Sequence, residues 1–213
     1  GGFLQKHLEE IDWFVYTSAL PADHAELVMA QEEQVKREKA GRELKVSKRD
    51  ELTAFLVEKL GLKMVAVAGT HGKTTTTAMI VWAGLKMGLP IAYIVGTTLG
   101  FAPSGSYKKG DQFFVYEADE YDRNFLKYQP WLAVIPAVSY DHPDIYPTRE
   151  NYEQAFLQFK AQGQKVIEEG VVVKEGELTL AGEARREDAR LAISAIMEMA
   201  REGKVQTSRE KII

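Results

Sequence analysis

Met64-Val65-Ala66-Val67-Ala68-Gly69-Thr70-His71-Gly72-Lys73-Thr74-Thr75-Thr76-Thr77 decides how this chain is read. An apolar run ends in a glycine-bounded turn, and a helical pattern follows. Strand, tight loop and helix start in that order form a phosphate cradle, because loop N–H groups and the helix N-terminus point at an anion. Lys73 can reach the β- and γ-phosphates, and the Thr74 hydroxyl can sit on Mg²⁺. Gly69, Thr70, His71, Gly72 and Thr75 complete the expected nucleotide-binding loop. A Walker A loop would have glycine five residues before Gly72, where this chain has Val67, so the pattern is the shorter Gly-x-x-Gly-Lys-Thr. Four successive threonines at a helix start need a reason, since Thr is a mediocre helix former. Capping is one; phosphate and Mg²⁺ coordination is the other.

The pattern on either side predicts an α/β chain. Upstream, a helical segment after Gly1-Gly2-Phe3 is followed by a strand at Trp13 to Thr17. A helix over Ala22 to Lys39, a strand at Leu44 to Val46 and a helix to Leu60, capped from Ser47-Lys48-Arg49-Asp50, come next. Downstream, a helix from Lys73 to Met87 stops at Gly88 and Pro90. Strands are expected at Ile91 to Val95, Phe113 to Tyr116 and Trp131 to Val138, with a loop over 102–111. An amphipathic helix covers Thr148 to Gln162, with Tyr152, Phe156 and Phe159 on one face. Val171 to Leu180 reads as a hairpin turning at Glu175-Gly176. A last helix covers Arg186 to Arg201, and another helix start is read at Ile213.

Composition bounds the function classes. Of 213 residues, 45% are apolar and 27% charged, the balance of an ordinary globular chain. A net charge of −4 argues against a nucleic-acid binder driven by bulk positive charge. No apolar run reaches membrane-spanning length, and acidic Glu9, Glu10 and Asp12 stand where a secretory leader would be basic and apolar. With no cysteine, disulfides and thiolate metal sites are excluded, which fits a reducing, cytoplasmic setting.

In open parallel sheets, ligands bind at the carboxyl ends of strands. Three such ends carry polar groups suited to Mg²⁺-ATP: the loop, Glu117 with Asp119, Glu120 and Asp122, and Asp141-His142. Glu117 follows a continuous apolar strand and is the expected metal carboxylate. Asp119, Glu120 and Asp122 either support the metal or cap the turn near Arg123 to Lys127. Asp141-His142-Pro143-Asp144 reads as a metal-side loop or as a polar loop stiffened by Pro143. His71 either meets a substrate or shapes its turn.

Gly69 to Thr77 resembles the ATP loop of the Mur ligase family, most nearly its alanine-adding and muropeptide-recycling branches. Glu117-Ala118-Asp119-Glu120-Tyr121-Asp122 and Asp141-His142-Pro143-Asp144 are similar to the family's second and third motifs. Asp12 to Asp23 and Lys48 to Leu52 are similar to the end of its UDP-sugar-binding domain and the helix that follows. The resemblance implies a partial Rossmann-like UDP-sugar-binding domain at 1–60. It implies a P-loop-type central ATPase domain with a mostly parallel sheet at 61–213, without the C-terminal amino-acid-binding domain. By the same resemblance Lys73 binds the β/γ-phosphates, Thr74 one Mg²⁺, and Glu117 and His142 a second. The implied reaction joins L-alanine to UDP-N-acetylmuramate through an acyl phosphate, using ATP and Mg²⁺, with no nucleic-acid or membrane partner. The implied alternatives are a muropeptide-recycling ligase and a non-catalytic nucleotide-binding paralogue. Two positions depart from the family pattern. Ala137 stands where Asn is frequent, and Asp188 aligns with an adenine-contacting Asn, whose amide donor a carboxylate lacks.

Overall fold

The computed structural model describes residues 5–174, 176–207 and 212. The chain divides into two compact units between Leu56 and Val57.

The first unit is built around one β-α-β step. Helix α1 (Gln5–Glu9) precedes strand β1 (Trp13–Tyr16), helix α2 (Ala25–Lys39) and strand β2 (Lys45–Lys48). The two strands pair in parallel, Trp13 opposite Lys45. Leu8, Ala30 and Leu44 form a small buried core. Arg37 is buried too, and its guanidinium is satisfied by Glu33 Oε1 at 3.1 Å, Ile11 O at 2.8 Å and Leu8 O. Helix α3 (Arg49–Leu60) starts directly after β2, so Ser47 and Lys48 are strand residues and not caps. The Ser47 hydroxyl is engaged across the sheet, where Trp13 Nε1 donates to it at 2.8 Å.

The second unit is a six-stranded sheet in the order β5-β4-β6-β3-β7-β8. The strands are β3 (Lys63–Val67), β4 (Ile91–Ile94), β5 (Gly105–Ser106), β6 (Phe113–Glu117), β7 (Leu132–Val134) and β8 (Lys165–Ile167). All pair in parallel except β4 with β5. Strands β3 and β6 are buried on both faces, which is why they read as continuous apolar runs without alternation. On one face Val65, Val67, Phe113 and Val115 join Ile80 and Val81 of α4 (Lys73–Lys86) and Leu191, Ile196 and Met199 of α6 (Glu183–Glu202). The alternate residues Phe114 and Tyr116 stack on each other, and Tyr116 meets Tyr128 edge-on. Helix α5 (Arg149–Gln162) packs Phe156 and Phe159 on Phe125.

The expected mostly parallel α/β architecture is present, with local differences. Strand β7 stops at Val134, not Val138, because Pro136 has no N–H for the ladder and the backbone turns there to meet the glycine loop. Strand β8 was not anticipated: three residues flanked by charge, with only two apolar positions, carry no periodic signal. The strand pair of the expected hairpin is absent among described residues 171–174 and 176–180, and Glu175 lies outside them; of the hairpin only a turn bond is present, Glu177 N donating to Lys174 O at 3.1 Å. Instead Val171 N donates to Ser194 Oγ of α6 at 3.0 Å, and Val171, Val173 and Leu178 pack against the core. The loop at 102–111 contains β5, and α6 begins three residues earlier than its apolar pattern suggests. Gly1 to Phe3 and the helix start read at Ile213 lie outside the described residues.

Candidate functional site

The glycine loop leaves β3 at its carboxyl end and is held against the segment that leaves β7. Ala68 N donates to Val134 O at 3.0 Å and Thr70 N to Ala137 O at 2.7 Å. A Cβ on Gly69 would come within 2.8 Å of Ala137 O, so this backbone approach admits only glycine. Thr70 is tied in three ways. Its hydroxyl accepts from Ser139 N at 2.9 Å and donates to Ser139 O at 2.7 Å. Having one hydrogen, it must accept from the Tyr152 hydroxyl, 2.7 Å away. Burial pushes the Tyr152 hydroxyl up to about 12, which keeps that donor protonated. The chain's own groups thus hold the loop from several sides. Gly72 precedes α4 with φ of +81°, and the first turn of α4 carries no acidic residue, leaving its N–H groups open to an anion.

The four threonines now have separate explanations. Thr74 Oγ1 donates to Glu117 Oε1 at 2.7 Å. Thr77 Oγ1 returns to Lys73 O at 2.7 Å. Thr76 is buried, and Thr75, like His71, is exposed.

Two carboxylates from the end of β6 meet this loop. Glu117 is partly buried, and its Oε2 also accepts from Gly96 N at 3.3 Å. Glu120 is 1% exposed and pairs with Lys73, whose Nζ lies 2.8 Å from Oε2 and 3.0 Å from Oε1. Lys73 Nζ donates in addition to Gly69 O at 2.7 Å. His142 Nε2 stands 3.5 Å from Glu120 Oε1. Among the described residues Glu117 and His142 share no hydrogen bond or ion pair, so the structure groups Thr74 with Glu117 and His142 with Glu120. Glu120 makes no side-chain cap; Asp119 Oδ1 shapes the following turn instead, accepting from Tyr121 N at 3.1 Å. Within that turn Asp122 and Arg123 are both left-handed, with φ of 54° and 55°. Tyr121 reaches the His142 loop, donating to Asp144 Oδ2 at 3.1 Å, and its ring meets the His142 ring edge-on at 5.3 Å. His142 is itself left-handed, φ 55°, and its N–H donates to Asp141 Oδ1 at 2.7 Å.

Lys73 is therefore not an exposed loop lysine. Its side chain is 16% exposed, and its partner is among the most buried carboxylates of the chain. Glu120 and Tyr152 were the residues hardest to single out from sequence. Glu120 stands within an acidic run, and Tyr152 lies on a helix face that reads as core.

Asp188 lies against the loop. A Cβ on Gly72 would overlap Asp188 Oδ1 and come within 2.9 Å of Pro136 Cβ. Burial pushes the Asp188 carboxyl above its usual range, offset in part by the Thr76 hydroxyl. Beside it, an apolar cavity of about 280 Å³ opens between α4 and α6, lined by Met79, Trp82, Leu178, Leu180, Ala189 and Ile193.

Among the described residues no group of three or more histidine and carboxylate side chains forms a closed metal cage. Mg²⁺ does not need one: it keeps few protein ligands, mostly hard oxygens, and takes the rest from water and phosphate. The Thr74 hydroxyl and the Glu117 carboxylate, 2.7 Å apart at the loop, are donors of that kind.

Residues 67–211 match the family described as the Mur ligase middle domain. The UDP-N-acetylmuramate–L-alanine ligase of Salinispora arenicola is 39% identical over 153 residues, 72% of this chain and 28% of that protein. The ligase of the same name from Clavibacter michiganensis is 36% identical over 161 residues, 76% of this chain and 32% of that protein. This chain thus spans about a third or less of these curated relatives. The fold is similar to UDP-N-acetylmuramate-alanine ligase MurC from Thermotoga maritima, with TM-score 0.72 and 21% identity over 89% of this chain and 51% of that one. It is also similar to the UDP-N-acetylmuramate:L-alanyl-gamma-D-glutamyl-meso-diaminopimelate ligase from Neisseria meningitides, with TM-score 0.69 and 22% identity over 97% of this chain and 82% of that one. With a matched domain covering more than half of its length, the chain belongs to the Mur ligase family.

Proposed function

We propose that this chain is the nucleotide-binding part of an ATP-dependent ligase of cell-wall precursor synthesis, joining L-alanine to UDP-N-acetylmuramate in the cytoplasm. In this reading residues 1–60 belong to a UDP-sugar-binding domain and 61–213 to the central ATP-binding domain. Neither a nucleic acid nor a membrane is a partner. The observation that carries the reading is that Lys73 and Thr74, adjacent in the loop, each face a carboxylate from the end of β6. That arrangement suits a charged triphosphate with a divalent cation.

A muramate carboxylate oxygen attacks the γ-phosphorus, the bond to the bridging oxygen breaks, and ADP leaves. The amino group then attacks the carbonyl carbon of the acyl phosphate. Phosphate leaves with the bonding electrons, and the nitrogen gives up its proton. The protein's task is to hold two anions together and offset their repulsion. The loop N–H groups and Lys73 bind the β/γ-phosphates. Thr74 and Glu117 would hold one Mg²⁺, which when bound would supply charge neutralisation for the transferred phosphoryl group. His142, whose Nε2 faces Glu120, would hold a second Mg²⁺.

The likeness to the Neisseria ligase favours one other reading, in which the same chemistry attaches a recycled tripeptide. ADP release by the full-length protein tests both. L-alanine-dependent release with UDP-N-acetylmuramate supports the first reading, and release only with L-alanyl-γ-D-glutamyl-meso-diaminopimelate supports the second. No release with either, despite Mg²⁺-ATP binding, would identify a non-catalytic nucleotide-binding paralogue.

A further inference from the structure

An ammonium group has three N–H donors in tetrahedral directions. On Lys73 two are committed, one to Gly69 O at 2.7 Å and one to Glu120 at 2.8 to 3.0 Å. Gly69 belongs to the loop and Glu120 to the turn after β6, so the ammonium is anchored from two elements, and among the described residues no third group takes its remaining N–H. Glu120 is fixed in its own right. Its backbone carbonyl accepts from the buried Tyr146 hydroxyl at 2.6 Å, and its side chain caps no helix. The same carboxylate faces His142 Nε2 at 3.5 Å. Burying a carboxylate is expensive unless its partners repay the lost hydration. Here both facing groups come from the other two chemistry-bearing loops.

We infer that Glu120 is a positioning residue for the nucleotide phosphates: it aims the remaining N–H of Lys73 and the Nε2 edge of His142, and it cancels the Lys73 charge before a nucleotide binds. The inference rests on the nucleotide-ligase reading above. It has two consequences of opposite sign. With Lys73 neutralised, the loop attracts a triphosphate weakly unless a divalent cation accompanies it. With Lys73 and His142 aimed, the bound nucleotide reacts. Glu120→Gln keeps the shape and removes the charge, so it tightens metal-free binding while slowing turnover. A residue that merely supports the fold would weaken both together.

The test uses the full-length protein, ATP titrated calorimetrically in EDTA and in Mg²⁺, and steady-state ADP release. Glu120→Gln is expected to bind metal-free ATP about tenfold more tightly. Its kcat is expected to fall about 10- to 100-fold, with KM for Mg²⁺-ATP nearly unchanged. Glu120→Asp restores the charge but not the reach, so its metal-free affinity should match the wild type while kcat stays low. That variant also decides the question if Glu120→Gln does not fold. A folded Glu120→Gln protein with unchanged or weakened metal-free binding overturns the inference and leaves the nucleotide reading intact. So does a Glu120→Asp protein of wild-type kcat. A wild-type protein that binds no ATP even with Mg²⁺ overturns both.

Discussion

Replacing Gly72 by alanine should damage this chain at one point and in two separable ways. The residue precedes α4 with φ of +81°, a conformation that costs an L-residue about 1–2 kcal/mol. The new methyl would also overlap Asp188 Oδ1 and press on Pro136 Cβ at 2.9 Å. Overpacking of this kind typically costs about 1–3 kcal/mol. The sum, about 2–5 kcal/mol, is a large part of the 5–15 kcal/mol usual for a domain. Urea unfolding measures it as a shift in midpoint at constant slope. Asp188→Ala in the same background separates the causes. It removes the carboxylate in the way but leaves the φ strain and Pro136, so the double variant should recover about 1–2 kcal/mol relative to additivity. Nucleotide binding should not recover to the same extent, because the strained φ still displaces the loop N–H groups that receive the phosphates. If Gly72→Ala unfolds within about 0.5 kcal/mol of wild type, the packing of Asp188 against the loop is not as described. If the two changes are simply additive, Asp188 is not the obstacle.

Lys73→Met should lower ATP turnover at least about 100-fold. It should also destabilise the chain by about 1–3 kcal/mol, because it leaves Glu120 buried without its cation; a variant as stable as wild type in thermal unfolding would refute the pairing. Glu117→Gln removes the carboxylate charge beside Thr74, so the Mg²⁺ concentration for half-maximal ADP release should rise about tenfold. An unchanged Mg²⁺ titration would take Glu117 out of the metal site. Asp188 has a folded pKa raised by burial, so its contribution favours folding at pH below the ordinary carboxylate value and is lost as pH rises through the raised one. Asp188→Asn should therefore be more stable than wild type near neutral pH, with the gain shrinking as pH falls through the raised value and gone below about pH 4, the ordinary carboxylate range. A gain independent of pH would show that ionisation of Asp188 is not the cause.

The elements most legible in the sequence were those whose own residues determine them. Met64 to Ala68 had to be a buried strand because nothing in it is polar. Thr148 had to start a helix because its hydroxyl accepts from Asn151 N at 3.2 Å, the usual N-cap bond. The misread stretches are those where a distant partner decides. Val171 to Leu180 alternates enough to suggest a hairpin, yet Val171 N is claimed by Ser194 of α6, and Val171, Val173 and Leu178 pack on the core. Ser47 looks like a helix cap until Trp13 is seen to claim its hydroxyl. Strand β8 owes its existence to β7, with Lys165 opposite Leu132, and has little apolar content of its own.

The site divides along the same line, and the sheet explains why. Three strand ends were expected to carry the chemistry, but not which of their residues would touch. That depends on strand order. β3 lies between β6 and β7, with Val67 opposite Glu117 on one side and Val134 on the other. Chain leaving β6 therefore runs beside the glycine loop, and so does chain leaving β7. Three residues past Glu117 is Glu120, level with the loop, where it meets Lys73 across 47 positions of sequence. From the other side come Ala137 and Ser139, which hold Gly69 and Thr70, and then His142, which closes on Glu120. The order β6-β3-β7 thus turns three separate motifs into one site. It also makes Lys73 half of a buried ion pair, a role its place in the loop does not reveal.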